Sequence, residues 1–375
     1  VLGAGRIMKE KNAEEKRALY WICCCPCLGA VSIRKLGSHF GGYQELINIE
    51  ETALDEARIL TPTQKNGLLQ WKKEFSRCSS AYDALKDKKI RFVTPLDSEY
   101  PQRLLEISDY PMGLFLYGAL PSDEKPSVAV VGARGCSSYG EQIAGAFAKA
   151  LAAEGVQIIS GLAAGIDGAA HKGALKAGQP TFGILGCGLS QCYPPEHYRL
   201  FEKMKEQGGI LSEFPMGEPP RPRNFPMRNR LISGLADAVL VVEAREKSGS
   251  LITAELGLNQ GREIFAVPGR VTDLLSAGCN KLIQQGAHMA ILPNDILEYL
   301  GLKHQKTLIM YEKDVNGLAK KEKMVYSCLD FKPKHIDEIL SETGLPLSEC
   351  MAVLMELELG GYAYRSANHY YGKQL

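Results

Sequence analysis

The chain has 375 residues, 45% of them apolar and 23% charged, which is the composition of a soluble globular protein with room for two or three domains. Its formal net charge is +1, so no global basic field marks it for nucleic acid, and any such role has to rest on a local patch. No apolar run approaches the roughly 18–20 residues of a membrane span, and the opening VLGAGRIMKEKNAEEKR lacks the apolar core and cleavage site of a secretory signal. A cytoplasmic location without membrane contact is expected, with Met8 read as the natural start and residues 1–7 as a leader.

Residues 13–87 read as a helical domain. AEEKRALYWICC has apolar residues at near-helical spacing and stops at Pro26; a second helix carries Val31, Ile33 and Leu36 and stops at Gly41-Gly42. Further helices are expected over 46–59 and 61–75, with Pro62 in a first turn. Pro26-Cys27-Leu28-Gly29-Ala30 before an amphipathic helix is similar to a helix-hairpin-helix, whose amides can hold a DNA phosphate; a plain scaffold turn is the simpler alternative. Cys23, Cys24, Cys25 and Cys27 invite a zinc reading, but structural zinc sites pair two knuckles and no second cluster stands at a matching distance. No metal is expected, and the cysteines read as small buried thiols in a reducing compartment.

Residues 88–120 carry short extended pieces (90–94 and 114–117) between prolines 95, 101, 111 and 121. Such a segment is expected to lay an edge strand or collar on the sheet that follows. From 127 to about 300 the alternation is regular. Strands 128–131, 156–160, 181–185, 210–214, 238–243 and 263–267 alternate with helices 139–154, 165–177, 196–207, 250–260 and 276–285, the fourth strand being followed by an arginine-rich loop. This pattern predicts an α/β fold, a parallel sheet with helices on both faces and ligands at the carboxyl ends of its strands.

Those ends hold an unusual set. After the first strand comes GARGCSSYG, a strand-turn-helix start that would bind phosphate in a dinucleotide fold. The G-x-G-x-x-G spacing needs a glycine two residues after Gly132, however, and Arg134 stands there. A guanidinium fills that space but can itself take a phosphate from outside, so a dehydrogenase is excluded and an anion site is kept beside the plainer reading of an ordinary βα turn with a surface arginine. Later strand ends add SGLAAGID, with Asp167 and His171 on one helix face read as loop-bracing groups, and EFPMGEPPRPRNFPMRNR, with Phe225 among arginines. Small residues allow close backbone approach, arginines contact phosphates and an aromatic stacks a base, which suits a polynucleotide strand or a nucleotide. SGSLITAE carries Ser248 or Ser250 as a helix cap and Glu255 as either a carboxylate for N-glycosidic chemistry or a helix-dipole complement. There is no P-loop and no H-E-x-x-H. After a polar linker over 300–316, residues 317–375 show helices 319–329, 334–342 and 347–358 followed by a β-ribbon, the winged-helix pattern. The third helix is acidic and has no Lys or Arg, which favours a protein-contact or structural role over duplex reading.

YPQRLLEI (100–107), VVGARGCSSYG (131–140), SGLAAGIDGAAHKGAL (160–175), FPMRNRLISGLADAVLVVEA (225–244), SGSLITAELG (248–257) and VPGR…SAGCNKLIQQGA (267–287) occur in this order. On these motifs the chain resembles the DNA processing protein A family (DprA, also called Smf) from about residue 20 to the end. The resemblance implies a sterile-alpha-motif or helix-hairpin-helix-like region over 13–87, an extended Rossmann-like core over 88–300 and a winged-helix domain over 317–375. It implies a single-stranded DNA-binding protein that protects incoming strands and loads the RecA recombinase during natural transformation, with no cofactor and no established catalytic activity. The DNA pocket it implies comprises Arg134, Ser137, Gly161, Phe225, Arg228, Asn229 and Arg230, with internal bracing of the loop as the alternative for Asn229 and Arg230. A homodimer is implied, with Leu282 and Ile283 of helix 276–285 as the candidate surface. Two departures stand out: Pro195, Glu196 and His197 follow Tyr193-Pro194 where many relatives have a basic or amide residue, and WICCCPCLGA replaces a plainer apolar run. The alternative is a phosphoribohydrolase-like enzyme, whose P-G-G-x-G-T-x-x-E loop SGSLITAE distantly resembles with Glu255 retained.

Overall fold

A computed structural model of the chain describes residues 2–302, 317–366 and 368–374, with side chains from residue 12 onward. The linker expected over 300–316 lies, from residue 303, outside the described residues, as does Val1 of the expected leader.

The core is a nine-stranded sheet: β1 Arg91–Val93, β2 Leu114–Gly118, β3 Ser127–Val131, β4 Gln157–Ser160, β5 Thr181–Ile184, β6 Gly209–Ser212, β7 Ala238–Val241, β8 Glu263–Ala266 and β9 His288–Met289, in the order β1-β2-β6-β5-β4-β3-β7-β8-β9. Strands β3 to β9 pair in parallel, while β2 joins β6 antiparallel and β1 closes that edge. All six strands expected from the alternation are present. The expected collar is strands β1 and β2 with a short helix, Gln102–Leu105, between them.

Period-two alternation on β3 explains the layering. Val128 and Val130 face the helices Ser138–Ala153 and Ile166–Lys176, meeting Ile143, Phe147 and Ala170; Ala129 and Val131 face the helices Asn224–Gly234 and Gly249–Asn259, meeting Leu231, Ile232 and Ala254. Helices Ser138–Ala153 and Ile166–Lys176 cross backbone to backbone. A Cβ on Gly173 would sit 2.3 Å from the Gly145 carbonyl oxygen, so no larger residue fits this crossing.

The 224–234 segment departs from expectation: it is a helix, not an arginine loop. Pro226 stands at its third position, inside the first turn, where no intrahelical N–H bond is lost. The N-terminal helices do not enclose a separate core. Tyr20 packs edge-on against Phe92 and Phe115 of β1 and β2 at 5.1 and 5.7 Å, so the region over 13–87 buries its apolar face on the sheet. Trp21 and Trp71 each donate an indole N–H to the other's carbonyl, at 3.2 and 3.0 Å. The first helix begins at Leu2, well ahead of residue 13. In the cysteine run, Cys25 and Cys27 lie with their sulfurs 3.1 Å apart and both are free thiols. Burial pushes the neighbouring Cys24 thiol up to about 12.

The described residues of 317–366 and 368–374 form the winged helix, with helices Lys320–Cys328, Ile336–Thr343 and Leu347–Leu359 and a small sheet of β10 Lys334–His335, β11 Ala363–Arg365 and β12 Tyr370–Lys373. It has its own core around Val325, Ile339, Leu354 and Tyr371. Phe331 meets Tyr139 of the core domain with ring centroids 6.2 Å apart.

Candidate nucleic-acid interface

The chain runs outward from β3 through β4, β5 and β6 and then returns to place β7 on the other side of β3. At such a switch point the loops after neighbouring strands part and leave a crevice at the carboxyl edge. Here the crevice is a cavity of about 600 Å³. Gly132 to Gly135 after β3, Ala163 and Asp167 after β4, Phe225 and Arg228 from the helix after β6, and Arg245 with Lys247 to Ser250 after β7 all reach it.

One potential anion site beside the cavity is already filled. Helix Ser138–Ala153 follows β3, and its N-terminus is where a Rossmann fold would hold a pyrophosphate. Glu243, just past β7 and 3% exposed, puts its carboxylate there. It accepts the Ser137 N–H at 2.8 Å and the Ser137 hydroxyl at 2.5 Å, while that hydroxyl accepts the Gly140 N–H at 3.0 Å. A Cβ on Gly140 would stand 2.3 Å from the Glu243 carboxylate, so the close seat requires glycine. Ser137, expected as a DNA contact, is therefore a helix cap bonded to an internal carboxylate.

The other residues expected at the site sort by helix geometry. Arg228 and Arg230 lie two apart on one helix and so point to different sides. Arg228, 3% exposed, lines the cavity and donates to the carbonyls of Gly161 (2.7 Å) and Ile184 and to the Asn229 side chain (3.3 Å). No carboxylate comes within ion-pair distance of it among the described residues. Burial pushes its guanidinium down to about 10, with the charge of Asp167 pulling up and that of Arg134 pushing down; it stays protonated at neutral pH. Arg230 turns the other way and pairs with Glu213 (2.7 Å) and Asp109 (3.0 Å). Asn229 donates to the Gly249 carbonyl at 3.3 Å, tying this helix to the next. Arg230 and Asn229 thus have the bracing bonds that formed the alternative reading of the motif.

Asp167 accepts the N–H groups of Gly161 and Ala163 at 3.0 and 3.4 Å and so shapes the SGLAAG turn; burial raises its carboxyl, against the pull of Arg228. His171 is fully buried and bonds Thr181 Oγ1 at 2.7 Å, and burial pushes it down to about 3, so it is neutral at physiological pH. His197, in the loop after Tyr193-Pro194, bonds the Leu162 carbonyl at 3.0 Å.

At the mouth the picture changes. Arg134 is exposed, and its guanidinium carbon lies 4.7 Å from the centre of the Phe225 ring. Tyr193 lies against the same ring, 5.6 Å between centroids. Among the described residues, four cationic side chains line the cavity (Arg134, Arg228, Arg245 and Lys247) against one carboxylate, Asp167. Its far wall includes Ser248, Gly249 and Ser250; Ser248 caps helix Gly249–Asn259 by accepting the Ser250 N–H at 3.4 Å. Glu255 is exposed and does not line the cavity. Sequence reasoning missed Glu243, Tyr193, Arg245 and Lys247. Glu243 had a readable signal, a lone carboxylate ending the apolar run AVLVVEA opposite a helix start.

The family described as DNA recombination-mediator protein A matches residues 91–301, and its winged-helix domain matches residues 312–368. The chain belongs to the DprA/Smf family. Protein Smf of Escherichia coli is 43% identical over 277 residues, covering 72% of this chain and 74% of that one. DNA processing protein DprA of Streptococcus pneumoniae is 45% identical over 202 residues, 54% of this chain and 71% of that one. The solved structure of the Streptococcus pneumoniae protein superposes with a TM-score of 0.67 at 33% identity, over 76% of this chain and 97% of that one. A structure of DNA processing protein A from Helicobacter pylori, described for its single-stranded DNA binding mode, gives a TM-score of 0.51 at 29% identity, over 56% of this chain and 95% of that one.

Leu282 and Ile283, the residues named for the expected dimer surface, lie on helix Ala277–Gln284 and are half-buried against the apolar cluster that includes Ile264 and Cys279. The loop before that helix exposes Val271 (92%) and Leu274 (71%).

Proposed function

We propose that this protein binds single-stranded DNA in the strand-end cavity and acts without catalysis, protecting incoming strands and passing them to the RecA recombinase in transformation and recombination in the cytoplasm. The observation that carries the reading is the charge of the cavity among the described residues: four cations against one carboxylate, with the buried Arg228 bonded to two backbone carbonyls and the neutral Asn229 side chain. A buried cation without a carboxylate partner is costly and favours an anionic ligand. Arg134 over Phe225 supplies a phosphate clamp beside an aromatic face, the pairing of contacts that holds a strand without reading its sequence. The single-strand binding described for the Helicobacter pylori relative supports the polymer over a mononucleotide, as does Glu243 at the helix end that a mononucleotide phosphate would use. The phosphoribohydrolase alternative loses its carboxylate, because Glu255 lies outside the cavity lining. The protein acts as a homodimer joined through Leu282 and Ile283.

In a gel-retardation titration the protein should retard oligo-dT and hardly shift a blunt duplex, with affinity falling steeply as salt rises. Arg134→Ala should weaken oligo-dT binding about 10- to 100-fold, the range of a lost charge-assisted contact, with an unchanged unfolding midpoint. Equal retardation of single strand and duplex, or release of a free base from a nucleoside monophosphate, would overturn the reading.

A further inference from the structure

A second cavity, of about 680 Å³, opens between helices Ser138–Ala153 and Ile166–Lys176 and the wing of the winged-helix domain. Its floor is small, with Gly145, Ala146, Ala150 and Gly173, and Tyr364 and Gln374 of the wing form the opposite wall. Three lysines line it, Lys149, Lys172 and Lys176, against one carboxylate, Glu141, which lies 3.8 Å from Lys172. Lys149 and Lys176 have no carboxylate within ion-pair distance among the described residues. Lys172 and Lys176 stand four apart on one helix, so their charges share a face and repel, a local cost that an anion would relieve. The helix dipole accounts for Lys176, in its helix's last turn, but not for Lys149 or Lys172, which lie ahead of the last turn of either helix.

The groove and the first cavity are lined by neighbouring residues of one loop and helix start. Gly135 lines the strand-end cavity and Ser138, where the helix begins, lines the groove. From Ser138 to Lys149 the helix rises about 16 Å. We propose that this groove is a second backbone-binding segment for the same single strand, which leaves the strand-end cavity past Arg134 and lays its phosphates along Lys149, Lys172 and Lys176, with the wing as the outer wall. The inference rests on the reading of the strand-end cavity as a single-strand site. It gives the winged-helix domain a part in strand binding that does not use its acidic third helix, Leu347–Leu359, which carries Glu349, Glu356 and Glu358 and no basic residue.

The test compares oligo-dT lengths, one of roughly 6 nucleotides that fills the first cavity and one of roughly 20 that spans both. In the double variant Lys149→Ala/Lys176→Ala the longer oligonucleotide should bind about 10-fold more weakly at low salt, and its log–log salt slope should fall by about 1.4, two phosphates at 0.7 each on a single strand. The short oligonucleotide should change less than about twofold, and Arg134→Ala should weaken both lengths. Both lysines are exposed, so the unfolding midpoint should not move. An unchanged salt slope for the longer oligonucleotide, as expected if the groove serves an acidic peptide instead, overturns the proposal, and so does equal weakening of both lengths. If Arg134→Ala leaves both lengths unaffected, it is the reading of the first cavity that fails.

Discussion

Two helix N-termini point toward the same sheet edge and have opposite fates. The one at Ser138 is closed by the protein's own Glu243, held by the Ser137 N–H and hydroxyl. The one at Gly249 is capped only by the Ser248 hydroxyl and lines the cavity. Each would attract an anion by its unpaired N–H groups. The difference shows how a nucleotide-type fold is converted: the phosphate seat of a dinucleotide is filled from within, while the neighbouring one stays open beside Arg228 and Arg245. Positive potential is thereby moved from a closed pocket to an open rim, where a polymer can pass.

Three substitutions bear on that contrast, in falling order of effect. Arg228→Met removes the cation under the open side and strips the Gly161 and Ile184 carbonyls of their donor. Breaking a buried charged network of this kind should cost about 3–5 kcal/mol in urea unfolding, together with most of the oligo-dT affinity. A loss below about 1 kcal/mol would mean that Arg228 is not integral to the layer beneath the cavity. Glu243→Gln keeps the shape of the closed end but removes its charge, and should destabilise by about 2 kcal/mol, the value of a hydrogen bond to a charged group. If the urea midpoint is unmoved, the Glu243 seat does not hold helix Ser138–Ala153. Ser248→Ala touches only a cap and should cost about 1 kcal/mol, read as a small shift in the same midpoint. A loss as large as that of Glu243→Gln would erase the distinction between a closed and an open end.

Much of the core was legible in the chain itself. Apolar β-branched runs such as Ser127–Val131 are buried on both faces of a parallel sheet, so strand and helix alternation could be read with boundaries close to those observed. Arg134 was also legible, since a large side chain at the position of a required glycine excludes a dinucleotide whatever surrounds it. The arginine-rich segment was not. Five prolines between 215 and 226 read as loop, yet the last of them falls in a first helical turn that tolerates it, and the helix then sends Arg228 into the cavity and Arg230 toward Glu213 and Asp109. Without the 3.6-residue period of a helix, nothing in the motif separates the two arginines, so the choice between DNA contact and bracing stays open for Arg230.

What the sequence determined by itself was the layered α/β core, the winged-helix tail and the exclusion of a dinucleotide, because periodicity and steric size act locally along the chain. Only the tertiary structure decided which charges face a ligand and which face one another. Glu243 meets Ser137 across 106 positions and Arg228 meets Gly161 across 67. Such pairings depend on strand order at the switch point and on the turn of each helix, which appear only once β7 is laid beside β3.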